Sequence, residues 1–277
     1  MSEPLPFIPP DISLASSAIN VGDDSTPPLW LYETCASTLT AAAELTSQCA
    51  LPVWGSVLAA RQTQGRGQLG RHWQSPKGNL YAALRLPDCP PFSENAVAPA
   101  VGALLATMLA QLGFAIWIKW PNDLVLATQD DDKTFRKVGG ILIEERNGAI
   151  LAGIGFNISS APSDTLMRAN RALPAGCLST DSLRECGFSS LLDIWRYTVD
   201  WLHNQSLNPL SHSWLALAER RLLGLNQPVT LIEDPDTAPV RGRLLGLDPS
   251  GGVRLETDQG LIILTSGSLY CDRTHWA

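Results

Sequence analysis

The sequence has little of what metal or disulfide frameworks are built from. Its six cysteines (Cys35, Cys49, Cys89, Cys177, Cys186 and Cys271) include no C-x-x-C pair, and its four histidines are scattered. This argues against a zinc site or a disulfide scaffold and points to unpaired thiols in a reducing cytoplasm. Excess positive charge is missing too: 20 Lys+Arg stand against 27 Asp+Glu, a formal net charge of −7. Nonspecific coating of nucleic acid is disfavoured by that balance, although a local basic patch can still hold phosphate. No basic residue precedes an apolar run at the start of the chain, so no signal peptide is read there. With 45% hydrophobic and 17% charged residues, the 277-residue chain can bury a core, and wholesale disorder is excluded. Its length fits roughly two domains.

One long stretch has no charge at all. Residues 95–118, between Glu94 and Lys119, would be long enough to span a bilayer. Asn95, Pro99, Gly102, Gln111 and Gly113 interrupt it, however. Its pattern also changes from helical spacing (Val97, Val101, Leu104, Leu105, Met108, Leu112) to alternation (Phe114, Ile116, Ile118, Trp120). A buried helix, a glycine turn and a strand account for that change, and no membrane span is read.

Residues 1–28 contain six prolines and no sustained periodicity, so they read as a loosely attached tail, too short and proline-rich for a helix-turn-helix. A strand-like LWLYE from Leu29 leads to a helix opened by Ser37 or Thr38. Strands are expected at Val53–Ala60, Leu80–Leu86, Gly139–Glu144 and Ile150–Ile158, and helices near 190–203 and 211–222. After Gly224 the texture becomes short β runs at Val229–Glu233, Val240–Leu247, Val253–Glu256 and Leu261–Leu264, the spacing of a small barrel. The fold class is therefore α+β, with a catalytic or binding region over 29–222 and a β domain over 223–277.

Chemistry concentrates in one loop. From Leu45 to Pro87 there is no Asp or Glu, where the chain's average would place about four, yet Arg61, Arg66, Arg71, Lys77 and Arg85 fall there. Within it lies Gly65-Arg66-Gly67-Gln68-Leu69-Gly70-Arg71-His72-Trp73. Glycines let backbone N–H groups approach an anion, and guanidinium binds phosphate or carboxylate through two parallel bonds; a solvated surface loop is the plain alternative. Gly65, Gly67 and Gly70 match a dinucleotide fingerprint, but Ser75-Pro76-Lys77-Gly78 prevents the helix that fingerprint requires. A P-loop fails as well, because Arg71-His72 stand where Lys-Ser/Thr should be.

These residues resemble the signature loop of the biotin–protein ligases, through Gly65-Arg66-Gly67…Gly70-Arg71…Trp73…Ser75-Pro76…Gly78…Leu80-Tyr81. Further matches follow in that family's order: Ser37-Thr38, Lys119-Trp120-Pro121-Asn122-Asp123, the run Lys137–Glu144, and Gly153-Ile154-Gly155-Phe156-Asn157. The likeness spans roughly residues 30–270. The Arg-Arg…Gly-Gly-Gly signature of the related lipoate ligases is absent, and the chain resembles the short form without an N-terminal winged helix. The resemblance implies a class II synthetase-like domain, with a mixed or antiparallel sheet flanked by helices, and a small C-terminal SH3-like barrel.

It also implies a two-step reaction. ATP with Mg²⁺ activates biotin as biotinyl-5′-AMP, and a lysine of a biotin carboxyl carrier domain of a carboxylase then takes the biotin. By motif, Ser37, Thr38 and Gln62 would bind the ureido ring, and the backbone of Gly140 would close the pocket. Arg66 and Lys137 would be catalytic at the carboxylate, with Gly67, Gln68 and Trp73 against the ligand. Arg71, Asn122, Asp123 and Asn157 would serve the nucleotide, Asp123 and Asn157 also as Mg²⁺ ligands. No zinc, flavin or NAD, no nucleic-acid partner and no membrane are expected, and oligomeric state, a homodimer included, is left open. Plainer readings stand beside these: Ser37 and Thr38 as a helix cap, Lys119 as the outer face of a strand, Lys137 in a solvated charge run, and Asn157 in a turn. A biotin sensor that has lost catalysis is the alternative from another functional class.

Overall fold

A computed structural model describes residues 3–9, 19–20, 27–92, 94–128, 134–163, 173–207, 214–233 and 237–271. Eight strands form one mixed sheet: β1 (Ile19–Asn20), β2 (Leu29–Tyr32), β3 (Ser56–Ala59), β4 (Leu80–Leu86), β5 (Ile116–Lys119), β6 (Asp123–Ala127), β7 (Phe135–Arg146) and β8 (Ala149–Phe156). Their order is β1-β2-β3-β4-β8-β7-β6-β5, and only β2 and β3 run parallel. β4 lies at the centre with both faces covered, so it reads as a near-continuous apolar run rather than an alternation. Its side chains still divide by the period of two. Ala83 joins Val57 and Leu151 beneath helix α1 (Thr38–Ser47), whereas Ala82 and Leu84 join the main core beneath helix α2 (Val97–Gln111).

The uncharged stretch resolves as α2, a left-handed Gly113 (φ +87°) and β5. Eleven of the fifteen residues of α2 are buried, which makes it a core helix packed between the sheet and the outer helices α4 (Leu191–Leu207) and α5 (Trp214–Glu219). Among the described residues, no helix is long and apolar enough to cross a membrane. None of the six cysteines forms a disulfide.

The C-terminal segment folds as a five-stranded antiparallel sheet: β9 (Pro228–Ile232), β10 (Val240–Leu247), β11 (Val253–Thr257), β12 (Gly260–Leu264) and β13 (Ser268–Cys271), ordered β12-β11-β10-β9-β13. Its Leu231, Leu244 and Leu255 belong to the same core cluster as α2 and β4. The Trp120 indole N–H donates to the Gly251 carbonyl at 2.8 Å, which fixes the β5–β6 turn against this sheet.

Several elements differ from the sequence reading. β3 begins only at Ser56, because Trp54 adopts φ +67° and turns the chain before it. Strands β1, β6 and β13 and the short helix α3 (Thr180–Glu185) were not anticipated, β1 falling within the segment read as a tail. The N-terminal segment is not loose along its described part: Leu5 is buried in the main core, and the carbonyls of Pro6 and Phe7 accept from Leu191 and Leu192 N–H. The acidic run at 129–133 and the start of the helix expected over 211–222 lie outside the described residues.

Candidate active site

The β5–β6 hairpin places Lys119 directly opposite Asp123, and Asp123 in turn faces Gly140 of β7. The β6–β7 register then slips: Leu124 faces Gly139 but Val125 faces Lys137, leaving Val138 as an extra, bulged residue. In a regular strand, positions 137 and 140 would project to opposite faces. The bulge turns both to the face of Asp123, and this brings the Lys137 ammonium to 2.5 Å from Asp123 Oδ1. Lys119 Nζ lies 3.9 Å from Asp123 Oδ2. Burial pushes the Asp123 carboxyl up, but Lys137, Lys119 and Arg71 outweigh it, and the group titrates below its ordinary value of 3.8. The three charges sit at a water-poor wall, with 12% of the Lys119 and 19% of the Asp123 side chain exposed. Lys119 also stands 5.6 Å above the ring of Tyr270 on β13, so it touches both sheets.

Beside the charges lies an apolar floor. Gly140 and Gly155 are paired across β7 and β8, and the Trp73 indole covers them. Lys137 Nζ is 5.3 Å from the centroid of the same ring. Trp73 Nε1 is buried and has no hydrogen-bond partner among the described residues. Trp73 arrives there because loop 65–73 folds back on itself. Gly67 N–H donates to the Arg71 carbonyl at 2.7 Å and Trp73 N–H to the Gly65 carbonyl at 2.9 Å, with a tight turn over Gln68–Gly70 at the tip in which Leu69 and Gly70 are left-handed.

The other end of the site is neutral. Ser37 and Thr38 are buried at the start of α1. The Ser37 side chain makes no capping bond; the Gln62 side chain caps the helix in its place, accepting from Thr38 N–H at 2.8 Å. Arg66 lies at the rim, its guanidinium 3.2 Å from Glu144 on β7.

A cavity of about 870 Å³ unites these groups, and every residue proposed from the sequence lines it except Asn157. Asn157 is buried behind the wall, where its N–H reaches the Val138 carbonyl and its amide lies 3.5 Å from the Lys137 carbonyl. It braces the bulge. Asn122 lines the cavity but spends its amide N–H on the Ile141 carbonyl at 2.7 Å. The donor set does not fit a protein-held Mg²⁺: Asp123 already faces two ammonium groups, and Asn157 is turned to the backbone. Lys119, Ser268 and Tyr270 were missed as site residues, and all three line the cavity.

Comparison with known proteins agrees with this geometry. Residues 31–159 match the family model "Biotin/lipoate A/B protein ligase family", and residues 224–269 match "Biotin protein ligase C terminal domain". A biotin--[acetyl-CoA-carboxylase] ligase of Paracoccus denitrificans is 28% identical over 241 residues, 77% of this chain and 89% of that protein. The bifunctional ligase/repressor BirA of Bacillus subtilis is 27% identical over 244 residues, 83% of this chain and 70% of that protein. Among solved structures, the biotin protein ligase from Aquifex aeolicus in complex with biotin and ATP superposes with a TM-score of 0.67 at 24% identity, covering 87% of this chain and 97% of that one; this likeness shows the fold.

Proposed function

The chain belongs to the biotin protein ligase family, and on that premise we propose that it is an ATP-dependent ligase joining biotin to a lysine of a carboxylase's biotin carrier domain through biotinyl-5′-AMP. The observation that carries this reading is the meeting, in one cavity, of the Lys137–Asp123–Lys119 charge cluster with the neutral Gln62–Thr38 end.

The first step brings together two anions that repel. A biotin carboxylate oxygen attacks the α-phosphorus of ATP, a P–O bond forms, and the bond to pyrophosphate breaks. Cations fixed in advance where the anions meet lower that barrier without reorganising. Lys137 fills this role, its position set by Asp123 and the Trp73 ring. Arg66 joins it by exchanging the Glu144 carboxylate for that of the ligand. Lys119 and Arg71 lie toward the phosphates, and Ser37, Thr38 and Gln62 take the ureido ring, with Gly67, Gln68, Trp73 and Gly140 enclosing the ligand. In the second step the carrier lysine amine attacks the mixed anhydride and AMP departs. The poor protein donor set leaves any Mg²⁺ to the triphosphate oxygens, and no step is assigned to a metal held by this chain. We take residues 29–222 as the catalytic unit and 223–277 as a cover for the nucleotide end of the cavity.

The test is biotin-dependent exchange of labelled pyrophosphate into ATP, followed by labelling of a purified carrier domain. Biotin binding without exchange would make the chain a sensor rather than an enzyme.

A further inference from the structure

Gln62 and Ser75 stand on either side of the glycine-rich loop and belong to one closed run of hydrogen bonds. Gln62 Oε1 accepts from Thr38 N–H at 2.8 Å and from the Thr38 hydroxyl at 3.2 Å. Gln62 Nε2 donates to Ser75 Oγ at 2.9 Å, and the Ser75 hydroxyl donates to the Trp73 carbonyl at 3.1 Å. Every direction in the run is determined. A backbone N–H only donates, so the amide atom facing Thr38 is oxygen; Nε2 must then donate, and the single hydroxyl proton of Ser75 is left for Trp73. Ser75 is buried at 6% exposure, so water does not substitute for it. Gly65 leaves the room this requires, since a Cβ there would stand 2.4 Å from the Trp73 carbonyl oxygen and 2.6 Å from Ser75 Oγ.

We propose that Ser75 is a positioning residue for ligand recognition: its hydroxyl accepts from the Gln62 amide, whose orientation Thr38 sets, and ties that amide to the Trp73 carbonyl. The neutral end of the cavity and the loop that covers it are thereby held in register. This rests on reading the cavity as a biotin site. Without Ser75, Thr38 still decides which amide atom is the oxygen, but Nε2 loses its acceptor and the Gln62 side chain is held from the Thr38 end alone. The ligand would then meet a Gln62 side chain free to shift about its Thr38 contact, and the Trp73 backbone would lose an anchor.

The experiment is calorimetric titration of biotin, without ATP, into the full chain and into Gln62→Ala, Ser75→Ala and the double variant. Each single change should weaken biotin binding about tenfold, the scale of one buried hydrogen bond in a recognition site. The double variant should lose no more than about twofold beyond the weaker single one, because both changes remove one device. In pyrophosphate exchange, KM for biotin should rise while KM for ATP stays within about twofold, a split that a merely loosened fold does not produce. Ser75→Cys fills the Oγ position with a somewhat larger, much weaker hydrogen-bonding atom and takes the place of Ser75→Ala in the same cycle if the alanine variant folds poorly. Losses that multiply in the double variant would overturn the role of Ser75 while leaving the biotin site standing. An unchanged affinity in Gln62→Ala would overturn Gln62 as a biotin contact and Ser75 with it. No biotin binding by the unaltered chain would overturn the proposed function itself.

Discussion

Trp73 lies against the sheet where positions 140 and 155 have no side chain: a Cβ on Gly155 would stand 3.1 Å from indole Cε2, Cζ2 and Nε1 together. A contact that tight obliges the neighbour to move by a few tenths of an ångström, and the ring can move only toward the cavity. Gly155→Ala should therefore weaken biotin binding about tenfold while costing about 1–3 kcal/mol of stability, as modest overpacking does. Calorimetry and urea unfolding on the same protein check both halves. Unchanged biotin affinity would show that the indole is not a wall of the ligand site.

Lys137→Ala should lower adenylate formation on the order of 10²-fold or more, the usual loss for one preorganised charge contact. Read as part of a solvated charge run, this lysine would matter little to stability. The structure changes that expectation, because its removal leaves Asp123 with Lys119 at 3.9 Å as its ion-pair partner. A stability loss of about 1–3 kcal/mol should accompany the loss of activity, less than for a fully buried pair because water still reaches the carboxylate. Pyrophosphate exchange within about threefold of the unaltered protein would remove Lys137 from the chemistry.

Acid should reveal the same cluster. The Asp123 carboxyl titrates below 3.8 in the folded chain, so the unfolded chain binds its proton first. Its contribution to stability is then fully present above the unfolded value and is lost as pH falls through the folded one. Compared with Asp123→Asn, the unaltered protein should be the more stable near neutrality, and the gap should close below pH 3.8. Denaturant midpoints measured across that window decide it; a gap constant with pH would mean that the flanking cations do not hold this carboxylate ionised.

The resemblance to the biotin–protein ligases would put a second arginine at position 68, where this chain has Gln68. Gln68 lines the cavity at the start of the loop's tip, next to Leu69, a residue 83% exposed with φ +57°. A missing guanidinium removes charge-assisted bonds, each contributing roughly 1.5–3 kcal/mol when well formed. The adenylate should leak, seen as slow labelling of bystander lysines, and Gln68→Arg should slow its release about tenfold or more. Equal release rates in the two proteins would show that other residues close the loop.

How much was legible beforehand depends on the range of the interactions involved. β4 and the α2–β5 pair were readable because apolar run and periodicity are local properties. β6 was not: Leu124–Ala127 follows a turn-like Pro-Asn-Asp, and its pairing with β5 and β7, rather than a pattern of its own, makes it a strand. β13 likewise depends on β9, some forty residues earlier. Helix α3 did carry a local signal that was overlooked, since Ser179 caps it by accepting from Ser182 N–H. Within the site, motif residues could be named one by one, yet their grouping could not. The bulge at Val138 that turns Lys137 toward Asp123 leaves no trace in composition or period, and it relegates Asn157 to a bracing role. Lys119 was read as an outer face. That face is outward from its own sheet, but Tyr270 of the second sheet covers it.

The segment before the first sheet has a consequence for anyone redrawing this chain. The opening turn of α4 presents three backbone donors, and each is met: Leu191 N–H by the Pro6 carbonyl at 2.9 Å, Leu192 N–H by the Phe7 carbonyl at 3.0 Å, and Asp193 N–H by Ser190 Oγ at 3.2 Å. Two of the three acceptors come from prolyl-rich chain that forms neither helix nor strand. A shortened version starting at Leu29 would keep every residue of the catalytic cavity, yet would uncover the slot filled by Leu5 and strand two donors beneath the outer helix layer. Where to trim the chain, or on which end to hang an affinity handle, is therefore a decision about folding rather than about convenience.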